Sequence, residues 1–259
     1  MELEGRHVVV TGAGRGIGRA LALRFADEGA RAVVVSDMDE ANARQVAREI
    51  GGQAITADVG REQDIRKLIN RAEGINGPID LFFSNAGITG PSGGPEILDA
   101  DWDLLWRVNT MSHVWAARAL LPGMLERGEG HVVIVSSGAG IRSFPGAAVY
   151  GATKSAQRGF GEALRHELKG TGVGLTMVYP GQVKSSLHAH EKERMPDWYD
   201  LERAAPAEPL GKAIVEAVEK DRRDVFYPSN VRLLRIMHGL RPTLADAMLR
   251  RIMDRSAAP

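Results

Sequence analysis

The stretch VVVTGAGRGIGRA, residues 8–20, decides the fold. Its three valines and a threonine make a β-branched run suited to a buried strand. Glycines stand at 12, 14, 16 and 18, and GRALALRFADEGA (18–30) then repeats its apolar residues at helical spacing, closed by Gly29. A strand, a glycine-rich turn and a helix in this order open a β–α–β unit. Glycines in such a turn let the backbone approach a pyrophosphate and adopt positive φ. The helix behind them offers free N–H groups and the positive end of its dipole. The G-x-G-x-x-G spacing is absent, because its third glycine would fall on Ile17 or Arg19. What stands here is G-x-x-x-G-x-G, at Gly12, Gly16 and Gly18.

The same alternation runs outward from this unit. RAVVVSD (31–37), QAITADV (53–59), IDLFFSNAG (79–87), HVVIVSS (131–137), GLTMVYPG (174–181) and DVFYP (224–228) read as further strands. Helices are expected over 39–52, 61–74, 99–127, 149–169 and 206–220. Seven apolar strands alternating with helices predict a doubly wound α/β architecture, a mostly parallel sheet covered on both faces. Crossovers should be right-handed. With no repeat, low-complexity tract or linker, residues 1–259 are expected to form a single dinucleotide-binding domain. Two segments stand apart. Residues 186–209 are polar and proline-bearing, and a loop of that length is expected on the substrate side. Residues 229–254 read as a C-terminal helical extension, two short helices split at Pro242, with arginines among apolar residues. Such a stretch packs on a core or a neighbouring subunit; a membrane surface is the lesser reading.

Composition narrows the function. In 259 residues, 33 Lys and Arg balance 33 Asp and Glu, so net charge argues for neither a nucleic-acid partner nor a generic membrane surface. There is no cysteine, which excludes disulfides, thiolate metal sites and cysteine nucleophiles. No His/Asp/Glu group has convincing ligand spacing, so no metal is expected, and His188 and His190 read as solvated loop residues. The N-terminal MELEGRHVVVTG lacks a basic n-region and an apolar h-region, and no apolar run approaches a membrane span, so a cytoplasmic protein is expected.

Three further positions carry chemistry. Asp37 ends the second strand, where a carboxylate can accept from ribose hydroxyls; the same residue could cap the following helix. Asp58 ends the third strand and could likewise cap helix 61–74. Tyr150 and Lys154, in VYGATKSA (149–156), lie one above the other on a helix. In isolation that pair is two residues on one helix face. Beyond a strand ending in Ser137, on the edge that also carries the glycine loop, it faces a nucleotide site.

Taken in order, Gly12-x-x-x-Gly16-x-Gly18, Asp58-Val59, Asn85-Ala86-Gly87, Asn109, Ser137, Tyr150-x-x-x-Lys154 and Pro180-Gly181 resemble the short-chain dehydrogenase/reductase family, from about residue 6 to 185. Two departures are SNAG at 84–87, where the family usually reads Asn-Asn-Ala-Gly, and Ser185, where it often has Thr. The resemblance implies a Rossmann fold and an oxidoreductase that moves a hydride between a nicotinamide cofactor and a secondary alcohol or ketone. It implies Tyr150 as general acid/base, Lys154 favouring its phenolate and binding the nicotinamide ribose, and Ser137 holding the substrate oxygen. Asn109 would open its helix locally and hold a water in a proton relay to Lys154. Cofactor contacts would come from Gly12, Arg15, Gly16, Ile17, Gly18, Asp37, Asp58, Val59, Asn85, Ala86, Gly87, Tyr150, Lys154, Pro180, Gly181, Val183 and Ser185. Arg15 suits a 2′-phosphate, whereas Asp37 repels one, so NAD is expected over NADP. Met195, Trp198 and Tyr199 could line a substrate pocket or anchor their loop. A homo-oligomer, tetramer or dimer, is implied through helices 99–127 and 149–169. The alternatives are a non-catalytic dinucleotide-binding sensor or scaffold, or an epimerase or dehydratase using the same Tyr–Lys pair.

Overall fold

The valine-rich runs form the centre of one sheet in the computed structural model, which describes residues 1–89, 97–184 and 204–256. The strands are β1 (His7–Thr11), β2 (Ala32–Asp37), β3 (Gln53–Thr56), β4 (Leu81–Ser84), β5 (Gly130–Val135), β6 (Val173–Pro180) and β7 (Asp224–Tyr227). Their order is β3-β2-β1-β4-β5-β6-β7, and every pairing is parallel. The chain builds outward from β1 to β3, then returns to lay β4 on the other side of β1. The reversal leaves a crevice between the C-terminal ends of β1 and β4, the place where open α/β sheets bind ligands.

The helices are α1 (Gly16–Asp27), α2 (Glu40–Glu49), α3 (Glu62–Asn76), α4 (Asp99–Trp106), α5 (Ser112–Arg127), α6 (Ala148–Glu167), α7 (Glu208–Glu219), α8 (Ser229–Leu240) and α9 (Pro242–Ser256). Side chains alternate across the strands, so each strand feeds two cores. Val9 and Phe82 join Leu68 of α3, Leu120 of α5 and Leu164 of α6. Val8, Val10 and Phe83 join Leu21 and Phe25 of α1, Val46 of α2 and Ile214 of α7. Burial on both faces is why the strands read as continuous apolar runs.

Three local expectations are sharpened or corrected. The helix expected over 99–127 carries a π-helical turn at Arg107–Met111, around Asn109, where the resemblance implied a local opening. Widening the turn leaves backbone carbonyls without their usual donors. The Ser112 hydroxyl donates to the Val108 carbonyl at 2.6 Å, and the Gln157 amide donates to that of Asn109. The cap of α2 is Asp39, which accepts from the Asn42 N–H, and not Asp37. Asp58 does not cap α3 either; its carboxylate accepts from the Gly60 N–H at 2.9 Å, and Arg61 takes the capping position. Among the described residues no helix is long and apolar enough to cross a membrane.

Candidate active site

A cavity of about 720 Å³ opens at the C-terminal edge of the sheet. One end is floored by Gly12, Arg15, Gly16, Ile17 and Gly18. Gly12 has φ +62°, and a Cβ there would sit 2.8 Å from the Ala86 Cα; a Cβ on Gly18 would collide with the Gly12 carbonyl. The loop therefore lies flat against the end of β4, with the unblocked start of α1 beside the cavity. Asn85 ties the two together, its Nδ2 donating to the Thr11 carbonyl at 2.9 Å. The Thr11 hydroxyl accepts from the Asn85 and Ala86 N–H groups.

Asp37, Asp58 and Val59 line the neighbouring wall. The Asp37 carboxylate is held at both oxygens. Oδ2 accepts from the Gly14 N–H at 2.9 Å, and Oδ1 accepts from the Asp39 N–H at 3.1 Å. Ala86, Gly87, Pro180, Gly181 and Val183 carry the lining across the edge from β4 to β6. Ser185 lies outside the described residues, as do His188, His190, Met195, Trp198 and Tyr199.

Ser137, Tyr150 and Lys154 line the same cavity. Ser137 follows β5 and begins a short 3-10 turn, its Oγ accepting from the Ala139 N–H at 3.1 Å. Strand alternation would send Ser136 to the opposite face, yet β5 ends at Val135 and both serines line the cavity. Ser136 Oγ donates to the Lys154 carbonyl at 2.9 Å. Tyr150 and Lys154 lie on successive turns of α6, with Lys154 Nζ 5.7 Å from the tyrosine ring centre. Lys154 is 4% exposed, and its Nζ donates to the Val135 carbonyl at 3.3 Å. Burial pushes its pKa down to about 7.

Asn109 does not line the cavity; it is wholly buried behind it. Its side chain clamps the chain beyond Gly87, accepting from the Ile88 N–H and donating to the Ile88 carbonyl, each at 2.9 Å. A Cβ on Gly87 would lie 3.3 Å from both Asn109 Oδ1 and Lys154 Nζ. Asn109 and Lys154 thus both approach this glycine.

Three residues that the sequence reading did not single out as a site stand behind Asn109. Gln157 Nε2 donates to the Asn109 carbonyl and lies 2.7 Å from His113 Nε2. The nitrogen of an amide can only donate, so His113 Nε2 accepts and its proton sits on Nδ1. That N–H points at Ser84 Oγ, 2.5 Å away. Burial, with the Lys154 ammonium nearby, pushes the His113 pKa down to about 3, so the ring is neutral. The serine of SNAG is therefore matched by a histidine within reach. The signal was present as three polar residues on otherwise apolar faces. Among the described residues, no group of three or more His, Cys, Asp or Glu side chains could hold a metal ion.

The chain is similar to known proteins in sequence and in fold. The family model for short chain dehydrogenases matches residues 6–196. The chain is 34% identical over 241 residues to 1-deoxy-11-beta-hydroxypentalenate dehydrogenase of Streptomyces exfoliatus, covering 90% of this chain and 86% of that one. It is 36% identical over 194 residues to epidermal retinol dehydrogenase 2 of Mus musculus, covering 71% and 62%. A crystal structure of a short chain dehydrogenase/reductase from Burkholderia phymatum in complex with NAD superposes with a TM-score of 0.82 at 28% identity, covering 93% of this chain and 96% of that one.

Proposed function

The chain belongs to the short-chain dehydrogenase family, a nicotinamide-dependent dehydrogenase or reductase by kind, and from that we propose that it interconverts a secondary alcohol and its ketone. The observation that carries this reading is the meeting of Ser137, Tyr150 and the desolvated Lys154 on one cavity wall, beside the glycine loop. A binding-only sensor has no use for a phenol, a hydroxyl and a buried ammonium gathered there.

The residues fit a dinucleotide. Gly12 and Gly18 leave a cradle that a Cβ would fill, and α1 turns its free N–H groups toward it. Asp37 offers an acceptor for ribose hydroxyls and repels a 2′-phosphate, so NAD is the favoured cofactor over NADP. When bound, the nicotinamide supplies or accepts the hydride. The Ser137 hydroxyl holds the substrate oxygen beside the Tyr150 phenol. Tyr150 takes the proton from the alcohol, or gives it to the forming alkoxide. Lys154, as an ammonium, stabilises the phenolate. Its burial leaves that charge near balance at neutral pH; ribose hydroxyls in reach would supply acceptors and favour the ammonium. Asn109 clamps Ile88 and so sets the chain on the far side of Gly87.

The test is absorbance at 340 nm with NAD or NADP against a panel of secondary alcohols and ketones. Tyr150→Phe should lower kcat/KM by about 10²- to 10⁴-fold, the usual worth of a general acid/base, with dinucleotide affinity retained. Near-normal kcat in that variant would refute the assignment. We further propose a homo-oligomer built through α4, α5 and α6. Light scattering at micromolar concentration should give a dimer or tetramer, and a monomer would refute it.

A further inference from the structure

Past Ser137 and Tyr150 the cavity continues to a second wall that the reaction itself does not explain. It is built from the C-terminal helices. Val231, near the start of α8, packs against the turn after Ser137: a Cβ on Gly138 would lie 3.7 Å from it, and one on Gly181 would lie 2.9 Å away. α9 is tied to the same turn by an ion pair of 2.5 Å between Arg142 and Asp246. With α8 and α9 anchored in this way, Leu233, Leu234 and Met237 line the cavity, as do Leu104 of α4 and Phe144.

The chemistry of this wall is one-sided. Arg142 is its charged member among the described residues, and its guanidinium is engaged by Asp246 and by the Ser143 carbonyl at 2.7 Å. Asn230, at the start of α8, adds an amide; the other α8 residues toward the cavity, Val231, Leu233, Leu234 and Met237, offer aliphatic and thioether surface. It does not stop at the rim. Leu104 is 42% exposed and Leu233 is 53% exposed, so the apolar lining runs outward to solvent. A polyol or phosphorylated substrate would shed water against this wall without recovering hydrogen bonds. An alkyl or polycyclic body would gain with each carbon it buries.

We propose that the α8–α9 hairpin is the substrate-selecting wall, and that the substrate is an alcohol or ketone carrying an extended apolar body on the reacting carbon. This rests on the oxidoreductase reading above and assigns the C-terminal extension its role. Polar recognition centres on one oxygen, held at Ser137 and Tyr150; along Leu233, Leu234 and Met237 the molecule is chosen by area.

The test is kcat/KM for 2-alkanols from four to eight carbons and for a polyol, with NAD, in the wild type, Met237→Leu and Met237→Glu. Dinucleotide affinity, read by fluorescence, reports that each variant is folded with its cofactor site intact. In the wild type kcat/KM should rise about fourfold per added methylene, the worth of burying one CH₂, and the polyol should be the poorest substrate. Met237→Leu should keep that rise and Met237→Glu should flatten it. Turnover with a flat or falling series, or with the polyol preferred, overturns this inference and leaves the oxidoreductase reading standing. A rise that survives Met237→Glu overturns the assignment of the wall to α8. No turnover of any alcohol, with dinucleotide affinity intact, overturns both readings.

Discussion

Replacing Asp37 by Asn should relax the protein's choice between dinucleotides while leaving the shape of its site almost untouched. The carboxylate is pinned by the Gly14 and Asp39 N–H groups, one on each oxygen, and cannot swing away from a ligand. Asn keeps an oxygen for Gly14 and removes the charge; the contact with Asp39 is lost, at about 1 kcal/mol. Two unit charges about 4 Å apart repel by about 4 kcal/mol at an effective dielectric near 20. A 2′-phosphate carries more than one charge, but solvent screening and Arg15 on the same cavity both reduce the effect. A net discrimination of about 2–4 kcal/mol against NADP follows, which is about 30- to 700-fold in kcat/KM. Steady-state kinetics with both cofactors on one substrate should show that preference in the wild type, and a ratio within about tenfold of unity in Asp37→Asn. Asp37→Ala should lower kcat/KM with both cofactors as well, because it also frees the Gly14 N–H. A wild type that prefers NADP, or an Asp37→Asn variant with an unchanged ratio, would show that the carboxylate does not face the ribose.

Lys154 should leave a signature in stability. Its folded pKa is depressed to about 7 from 10.5, so between those values the unfolded chain binds more protons, and stability should rise with pH across that window. Denaturant midpoints at pH 7 and 9.5 should rise more in the wild type than in Lys154→Met; equal rises would mean the lysine is solvated. Gln157→Leu should lower stability by about 2–5 kcal/mol, because it leaves both the Asn109 carbonyl and His113 Nε2 buried and unpaired. Adding His113→Phe removes one of those orphans, so the double variant should be more stable than the sum of the two singles predicts. Additivity within about 0.5 kcal/mol would contradict the hydrogen-bonded chain.

Much of this was legible in the residues, for reasons that differ from place to place. The strand pattern was read because strands covered on both faces are apolar at every position, and turns between them are marked by glycine. The cavity lining was read because backbone approach demands glycine at Gly12 and Gly18, and side chains of fixed chemistry at Ser137, Tyr150 and Lys154. The π-helical turn was legible only in outline, through the resemblance, which implied that Asn109 opens its helix; its bounds depend on donors from elsewhere, Ser112 one turn on and Gln157 from a helix far along the chain. The contest between Asp37 and Asp39 for the cap of α2 was closed to inspection, since both residues cap well. It is decided by the Gly14 N–H, which engages Asp37 from across the loop.

The C-terminal helices mark where sequence pattern stops being informative. Their amphipathic spacing and the break at Pro242 predicted two helices, and α8 and α9 stand there. Amphipathicity says that a face is apolar, not what it meets. Val231 is buried, but Leu233, Ile236 and Leu240 on the same helix are exposed, so α8 carries more apolar surface than the core covers. A helix that only closed a core would be expected to bury that stripe. Of these Leu233 borders the cavity, next to Leu234 and Met237, and the ion pair between Arg142 and Asp246 holds the hairpin against the turn that follows Ser137. If the proposed wall selects the substrate, substitutions along α8 should change which molecule reaches Tyr150 without moving Tyr150 itself. On that proposal the chemistry and the choice of substrate sit on separate elements, one constrained residue by residue and the other by the apolar area it offers.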